Sequence, residues 1–222
     1  MSFKQERFFK KKKVIVTAGP TREYFDPVRF ISNRSSGKMG YAIAGACIRR
    51  GADVVLISGP SALRPPHNLN KFISVETTNE MRDAVFSHIQ NSDIVVMAAA
   101  PADFTPDVKK KDKMNKHAEM DIRFRNTPDI LSEIGQLKKR PFIVGFAAET
   151  GMKIDRAKKK LIKKNVDIIV FNDVTSAGSG FDVETNKITI IEKNKETPLP
   201  LMTKDEAAEK ILDTVSALLG CS

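Results

Sequence analysis

The sequence predicts an α/β fold, a doubly wound and mostly parallel sheet, and three features carry that expectation. Apolar runs of strand length alternate with segments of helical periodicity along most of the chain. Runs such as Asp93-Ile94-Val95-Val96-Met97-Ala98 are apolar almost throughout, as parallel strands covered on both faces are. A glycine pair, Gly37-x-x-Gly40, stands at the mouth of a periodic helix just after the first strand. Such a pair permits a tight turn and close backbone approach to an anion at the helix N-terminus, a Rossmann-like arrangement.

Lys13 to Ala18 reads as the first strand, Lys38 to Arg50 as a helix, and Asp53 to Ser58 as the second strand. Phe72 to Val75 is a short third strand, and Asn79 to Gln90 has helical spacing through Met81, Ala84, Val85 and Ile89. After the Asp93 to Ala98 strand the pattern breaks. Thr105 to His117 is charged and non-periodic, a surface loop of a length that is usually functional or disordered. Glu119 to Arg125 alternates like an exposed strand, and Asp129 to Leu137 is a helix expected to be capped by Thr127-Pro128. Phe142 to Ala147 and Asp167 to Phe171 are buried strands with a lysine-rich helix between them. Phe181 to Glu192 suggests a small hairpin extension, and Lys204 to Leu219 an amphipathic closing helix.

No linker-like stretch divides the 222 residues, so residues 13–222 are expected to form a single domain behind a basic tail or linker at 1–12. No apolar run reaches the roughly 18 residues of a membrane span, and the charged N-terminus is unlike a secretory signal. A cytoplasmic location without membrane attachment is expected. Two cysteines make no disulfide framework, with Cys47 read as core and Cys221 at the chain end. His67, His88 and His117 have no metal-cage spacing, so no protein metal ligands are assigned. The net charge of +10 is clustered: segments 1–13, 109–116 and 153–164 carry +5, +4 and +6, leaving −5 for the rest. Localised charge with no tryptophan and only two tyrosines argues against a nucleic-acid binder.

Between strand and first helix lies an unusually long insertion, Thr17-Ala18-Gly19-Pro20-Thr21-Arg22-Glu23 and Asp26-Pro27-Val28-Arg29-Phe30, followed by Asn33-Arg34-Ser35-Ser36-Gly37-Lys38-Met39-Gly40. With Ala98 to Asp103, Thr127 to Leu131, Val144 to Thr150 and Phe171-Asn172-Asp173, these segments closely resemble phosphopantothenoylcysteine synthetase (phosphopantothenate-cysteine ligase) of the bacterial type, from about Lys13 onward. The motifs also fall at strand ends, where ligands bind in open α/β sheets.

The resemblance implies that a nucleoside triphosphate, with CTP expected in preference to ATP, and Mg²⁺ activate the carboxylate of 4′-phosphopantothenate, after which cysteine attacks the acyl-nucleotide. Asn33 then orients the carboxylate and stabilises the acyl oxygen. On the residues alone, a turn or helix cap is the simpler reading. Arg29 is assigned to the substrate phosphate across a homodimer interface, against a plain salt bridge. Ala99, Ala100 and Asp103 line the substrate and nucleotide sites, although Pro101 replaces the valine expected there. Gly19, Ser36, Gly37, Lys38 and Gly40 belong to the nucleotide site. Lys113 is assigned to a mobile flap that closes over phosphorus, with Lys109, Lys110 and Lys111 as neighbours in register. Lys160 and Lys164, four apart on one helix face, match phosphate and sugar contacts. Pro128, Asp129, Ile130 and Leu131 offer backbone groups to the base, which Phe146 packs against unless it is simply core.

Members of this family often stand fused behind a flavin-dependent phosphopantothenoylcysteine decarboxylase. Nothing in the sequence resembles that half, so no flavin is expected. Two other readings are an NAD(P)-dependent oxidoreductase and a non-enzymatic nucleotide- or RNA-binding module. The first is weakened because the second strand ends in Ser58-Gly59, without a carboxylate for a ribose.

Overall fold

The computed structural model describes residues 8–115, 121–151, 153–175, 178–180 and 182–220. In chain order the elements are β1 (Lys13–Ala18), β2 (Arg22–Tyr24), β3 (Phe30–Ser32), α1 (Lys38–Arg49), β4 (Asp53–Ser58), β5 (Lys71–Ser74), α2 (Thr78–Ile89), β6 (Ile94–Met97), β7 (Phe104–Pro106), β8 (Phe124–Asn126), α3 (Ile130–Gly135), β9 (Phe142–Glu149), α4 (Ile154–Lys163), β10 (Ile168–Asp173), β11 (Thr185–Asn186), β12 (Ile188–Ile191), β13 (Glu196–Pro198), β14 (Met202–Thr203) and α5 (Lys204–Leu218).

Eight strands form one sheet in the order β13-β12-β10-β9-β6-β1-β4-β5. The six from β10 to β5 are parallel, and β12 and β13 extend them antiparallel. From β1 the chain winds first to β4 and β5, then returns to β6, β9 and β10 on the other side. The topological switch therefore lies between β1 and β6, where a doubly wound sheet opens a crevice.

Both sheet faces are covered, which explains the near-continuous apolar runs. Because side chains alternate along a strand, Val14, Val16, Ile94 and Val96 point to the layer containing Ile43, Ala46, Ile211 and Val215 of α1 and α5. Ile15, Val95 and Ile143 point to the layer of Met81, Val85, Ile134 and Leu161 from α2, α3 and α4. Each fully buried aliphatic side chain contributes about 1.5–3 kcal/mol. Helices α2 and α5 begin in capping boxes, Thr77 with Glu80 and Thr203 with Glu206, that satisfy otherwise open N–H groups at both ends of the motif.

The structure differs from the sequence reading in several places. The insertion after β1 is a small antiparallel ribbon, β2 with β3. Within the expected 105–117 loop, Thr105 and Pro106 pair with β8. The exposed strand expected from Glu119 is limited to Phe124–Asn126, and residues 116–120 lie outside the described residues. Helix α3 is capped by Asp129, whose carboxylate accepts the Ser132 N–H at 3.1 Å, and not by Thr127-Pro128. The hairpin expected over 181–192 is replaced by β12 with β13, while β11 pairs with β14; Phe181 lies outside the described residues. Residues 1–7 and Cys221 lie outside them too. Phe9, placed in the expected tail, is fully buried, and Lys11 N–H donates to the Gly51 carbonyl at 3.0 Å, so the packed chain includes residues 8–12. No helix among the described residues is long and apolar enough to cross a membrane.

Candidate active site

A cleft of about 750 Å³ opens at the switch point. Its walls come from the loop before α1, the segment after β6, the start of α3, the inner part of β9 and one face of α4. The loops after β1 and β6 are stitched together: Ala100 N–H donates to the Gly19 carbonyl at 2.9 Å, and Ala102 N–H donates to the Thr21 hydroxyl at 2.8 Å. Buried Thr78 and half-buried Thr127 close the same network through Thr21 and the Ala102 carbonyl. These bonds fix the cleft floor while leaving small side chains, Ala99 and Ala100, at its surface.

At one end stand Lys160 and Lys164. Lys164 Nζ lies 2.9 Å from the Asp129 carboxylate, and Lys160 Nζ donates to the Phe146 carbonyl at 2.7 Å. The two like charges are tolerated because Asp129 is the anion beside them. Burial, reinforced by the Lys164 charge, lowers the affinity of Lys160 for its proton, and Asp129, Glu149 and Asp103 oppose that shift. Burial raises the Asp129 carboxyl, but the Lys164 ammonium and the Ser132 N–H outweigh it and hold the group below its ordinary range. Pro128, Ile130, Leu131 and Phe146 line the cleft between these charges and the sheet.

At the other end is the glycine turn. Gly37 is the N-cap of α1 with φ 82°, a left-handed conformation that glycine adopts without the strain of a Cβ, and no side chain caps the helix. Asn33 is therefore not a cap: its carboxamide donates to the Pro101 carbonyl at 2.7 Å, bridging the two loops that flank the switch point. Lys38 Nζ pairs with the Glu184 carboxylate and donates to the Asp182 carbonyl at 3.0 Å, and Arg34 donates to Asp182 Oδ2 at 2.9 Å.

Fourteen of the expected residues share this cleft: Asn33, Ser36, Gly37, Lys38, Ala99, Ala100, Asp103, Pro128, Asp129, Ile130, Leu131, Phe146, Lys160 and Lys164. Four do not line it. Gly19 directly follows the first strand and backs the glycine turn. Gly40 faces β1, where a Cβ would meet Ala18 Cβ at 2.6 Å. Arg29 pairs with Asp26 at 2.6 Å and donates to the Met114 carbonyl at 2.6 Å. Lys113 is exposed on the neighbouring loop. Lys109, one of its alternatives in register, lies over the Tyr24 ring at 5.2 Å.

Sequence reasoning placed Asn172 in a strand-end motif without giving it a role, and it missed Asn186 and Lys204 in the cleft wall. Lys204 is 6% exposed, and its ammonium donates to the Gly180 carbonyl at 3.1 Å and to the Val183 carbonyl. Burial and the nearby Lys38 charge push its proton affinity down. The signal was a lysine directly after the Thr203 cap, where the helix dipole disfavours a cation.

Among the described residues no group of three or more His, Cys, Asp or Glu can hold a metal ion. Asp103 and Asp129 nonetheless line the cleft. Magnesium is commonly held by one or two carboxylates together with substrate phosphates, so this donor set fits a cation arriving with a triphosphate.

Comparison with known proteins agrees with the geometry. The coenzyme A biosynthesis bifunctional protein CoaBC of Bacillus subtilis (strain 168) is 48% identical over 209 residues, covering 93% of this chain and 52% of the relative. The chain thus spans about half the length of the curated relatives it matches. The crystal structure of the C-terminal domain of CoaBC superposes with TM-score 0.81 at 41% identity, covering 96% of this chain and 98% of that one. The DNA/pantothenate metabolism flavoprotein from Streptococcus pneumoniae superposes with TM-score 0.79 at 25% identity, covering 94% and 99%. The profile of the DNA/pantothenate metabolism flavoprotein C-terminal domain family matches residues 9–219, and the chain belongs to that family.

Proposed function

We propose that this chain is a phosphopantothenate-cysteine ligase acting in coenzyme A biosynthesis. The observation that carries the reading is the convergence of fourteen separately expected residues, drawn from five parts of the chain, on one cleft at the switch point. The relatives named for coenzyme A biosynthesis support it.

In this reading a carboxylate oxygen of 4′-phosphopantothenate attacks the α-phosphorus of CTP. An O–P bond forms, the bond to pyrophosphate breaks, and an acyl-cytidylate results. The cysteine amine then attacks the acyl carbon, forming the amide, expelling cytidine monophosphate and losing a proton to solvent. Lys160 and Lys164 neutralise nucleotide charge, and the backbone of residues 128–131 with Phe146 holds the base. Asn33 supplies a neutral donor to the acyl oxygen, a contribution made where charge develops. Asp103 or Asp129 would hold magnesium together with the phosphates, and the ion would supply further charge neutralisation.

A homodimer with shared sites is part of the proposal. Val28, 56% exposed, and Phe30, Phe104 and Phe124 leave large apolar side chains in water on the two small ribbons, in the same region as Arg29. Covering that surface with a second copy would bring Arg29 to the partner's phosphate site. We also propose one ligase domain that includes the packed end of the basic segment, a cytoplasmic location, and a fused or associated phosphopantothenoylcysteine decarboxylase as consumer of the product.

The test is amide formation from phosphopantothenate and cysteine with CTP, ATP, GTP or UTP supplied singly with Mg²⁺. Turnover with CTP well above ATP is expected. Absence of turnover with every nucleotide overturns the ligase reading, and preference for ATP overturns the choice of base.

A further inference from the structure

Arg29 and Lys113 stand outside the cleft, yet the residues that hold them converge on one carboxylate. Asp26 is fully buried. Its Oδ1 accepts the N–H groups of Val28 at 2.8 Å and Arg29 at 2.7 Å, closing a local turn. Its Oδ2 has a different task. It accepts Arg29 Nε at 2.8 Å and the Met114 N–H at 3.2 Å, a residue 88 positions later. Arg29 Nη2 completes a closed ring by donating to the Met114 carbonyl. A second clip, from the Lys110 N–H to the Phe25 carbonyl at 2.9 Å, fastens the other end of the same loop. Lys113 is thus the neighbour of one clip and three residues from the other.

A buried ionised carboxylate is costly unless donors match it. Burial pushes the Asp26 carboxyl up, but the Val28, Arg29 and Met114 bonds outweigh that and hold it well below the ordinary range. The turn backbone needs only Oδ1, so the second oxygen serves the Arg29 side chain and the contact with Met114.

We propose that Asp26 is a positioning residue that clips the Lys113 loop to the Arg29 turn, presenting both cations in one fixed arrangement for the activation step. The proposal rests on the ligase reading given above. The clip holds the backbone next to Lys113, so Asp26 acts through Lys113 and does not touch substrate.

Asp26→Asn separates the two tasks. The amide oxygen still accepts from Val28 and Arg29 and keeps the turn, whereas an NH₂ now faces the Arg29 guanidinium and the Met114 N–H, donor against donor. Single-turnover pyrophosphate release should slow by roughly 10–100-fold, the scale of a small misplacement of a reacting group, with nucleotide affinity nearly unchanged. The deciding arm is the double variant. If Asp26 works through Lys113, Asp26→Asn adds almost nothing to Lys113→Gln, whereas a merely structural role makes the two losses multiply. Should Asp26→Asn fail to fold, Met114→Pro removes the N–H that reaches Oδ2, while also fixing the Met114 φ and restricting Lys113 before it, and carries the same expectation. In the native chain, the Met114 amide should exchange with solvent more slowly than those of Lys113 and Asn115. Equal exchange, multiplying losses, or a normal rate in the variant overturns the positioning role alone. A native chain that releases no pyrophosphate removes the ligase reading itself.

Discussion

Replacing Gly40 by alanine probes the junction between the glycine turn and the sheet. An added Cβ would lie 2.6 Å from Ala18 Cβ, 2.9 Å from the Thr17 carbonyl oxygen and 3.0 Å from Ala18 Cα. Ordinary carbon contacts need about 3.5–4.0 Å, so α1 must withdraw from β1 by roughly 1 Å. Overpacking of this kind costs about 1–3 kcal/mol, and the upper end applies because the obstacle is the backbone of a central strand. Alanine's better helix propensity returns up to about 1 kcal/mol, leaving a net loss of about 2 kcal/mol. For a chain of this size that lowers Tm by roughly 4–8 °C. The control is on the same helix: a Cβ on Gly45 meets only the end of the Arg49 side chain, at 3.3 Å. Gly45→Ala should melt at or slightly above the native temperature. Thermal scans of both variants decide the matter, and Gly40→Ala melting no lower than the native protein would refute the packing argument. Because Gly37 and Lys38 ride on the displaced end of α1, nucleotide affinity should fall in the same variant.

Asn33→Asp is nearly isosteric but sets a carboxylate against the Pro101 carbonyl and the substrate's own carboxylate; we expect a folded protein whose amide formation falls by roughly 10²–10³, as for loss of one oxyanion donor, and near-native turnover would return Asn33 to a structural role. Mixing inactive Arg29→Ala with inactive Asn33→Ala should restore activity once subunits exchange, because some sites then contain both native residues; proven heterodimers without activity would refute shared sites. Asp129 is held below its ordinary carboxylate range, chiefly by Lys164 against the opposing effect of burial. A depressed carboxyl stabilises the fold above its unfolded pKa of about 4, and that stability disappears as pH falls through the folded value. Denaturant midpoints measured from pH 6 down to pH 3 should therefore drop more steeply in the native protein than in Lys164→Gln, and parallel curves would show that the pair is not coupled.

Much of the fold was legible because the central strands are buried on both faces. Ile94 to Met97 and Ile168 to Phe171 leave no polar alternation to misread. The short ribbons were not legible. Arg22-Glu23-Tyr24 shows no strand signal, and its pairing depends on buried Glu23, which accepts the Thr78 N–H at 2.8 Å across the fold. The hairpin reading failed because strands of two to four residues give too little alternation to set register, so pairing of β11 with the distant β14 could not be read locally. Residues expected at strand ends, Ala99, Ala100 and Asp103 among them, line one cleft, since topology alone carries strand ends to one edge of the sheet. Lys204 and Asp26 were hidden for the opposite reason. Charged side chains read as solvent-facing until tertiary contacts bury them, Lys204 under the Gly180 and Val183 carbonyls and Asp26 under Arg29 and Met114.

The most direct measurement is a single-turnover assay of pyrophosphate release with enzyme in excess over CTP, with and without each co-substrate. If the cleft activates a carboxylate before any amine attacks, pyrophosphate appears with phosphopantothenate, CTP and Mg²⁺ in the absence of cysteine, and cysteine then releases cytidine monophosphate. Pyrophosphate that appears only after cysteine is added, or that appears without phosphopantothenate, contradicts the account.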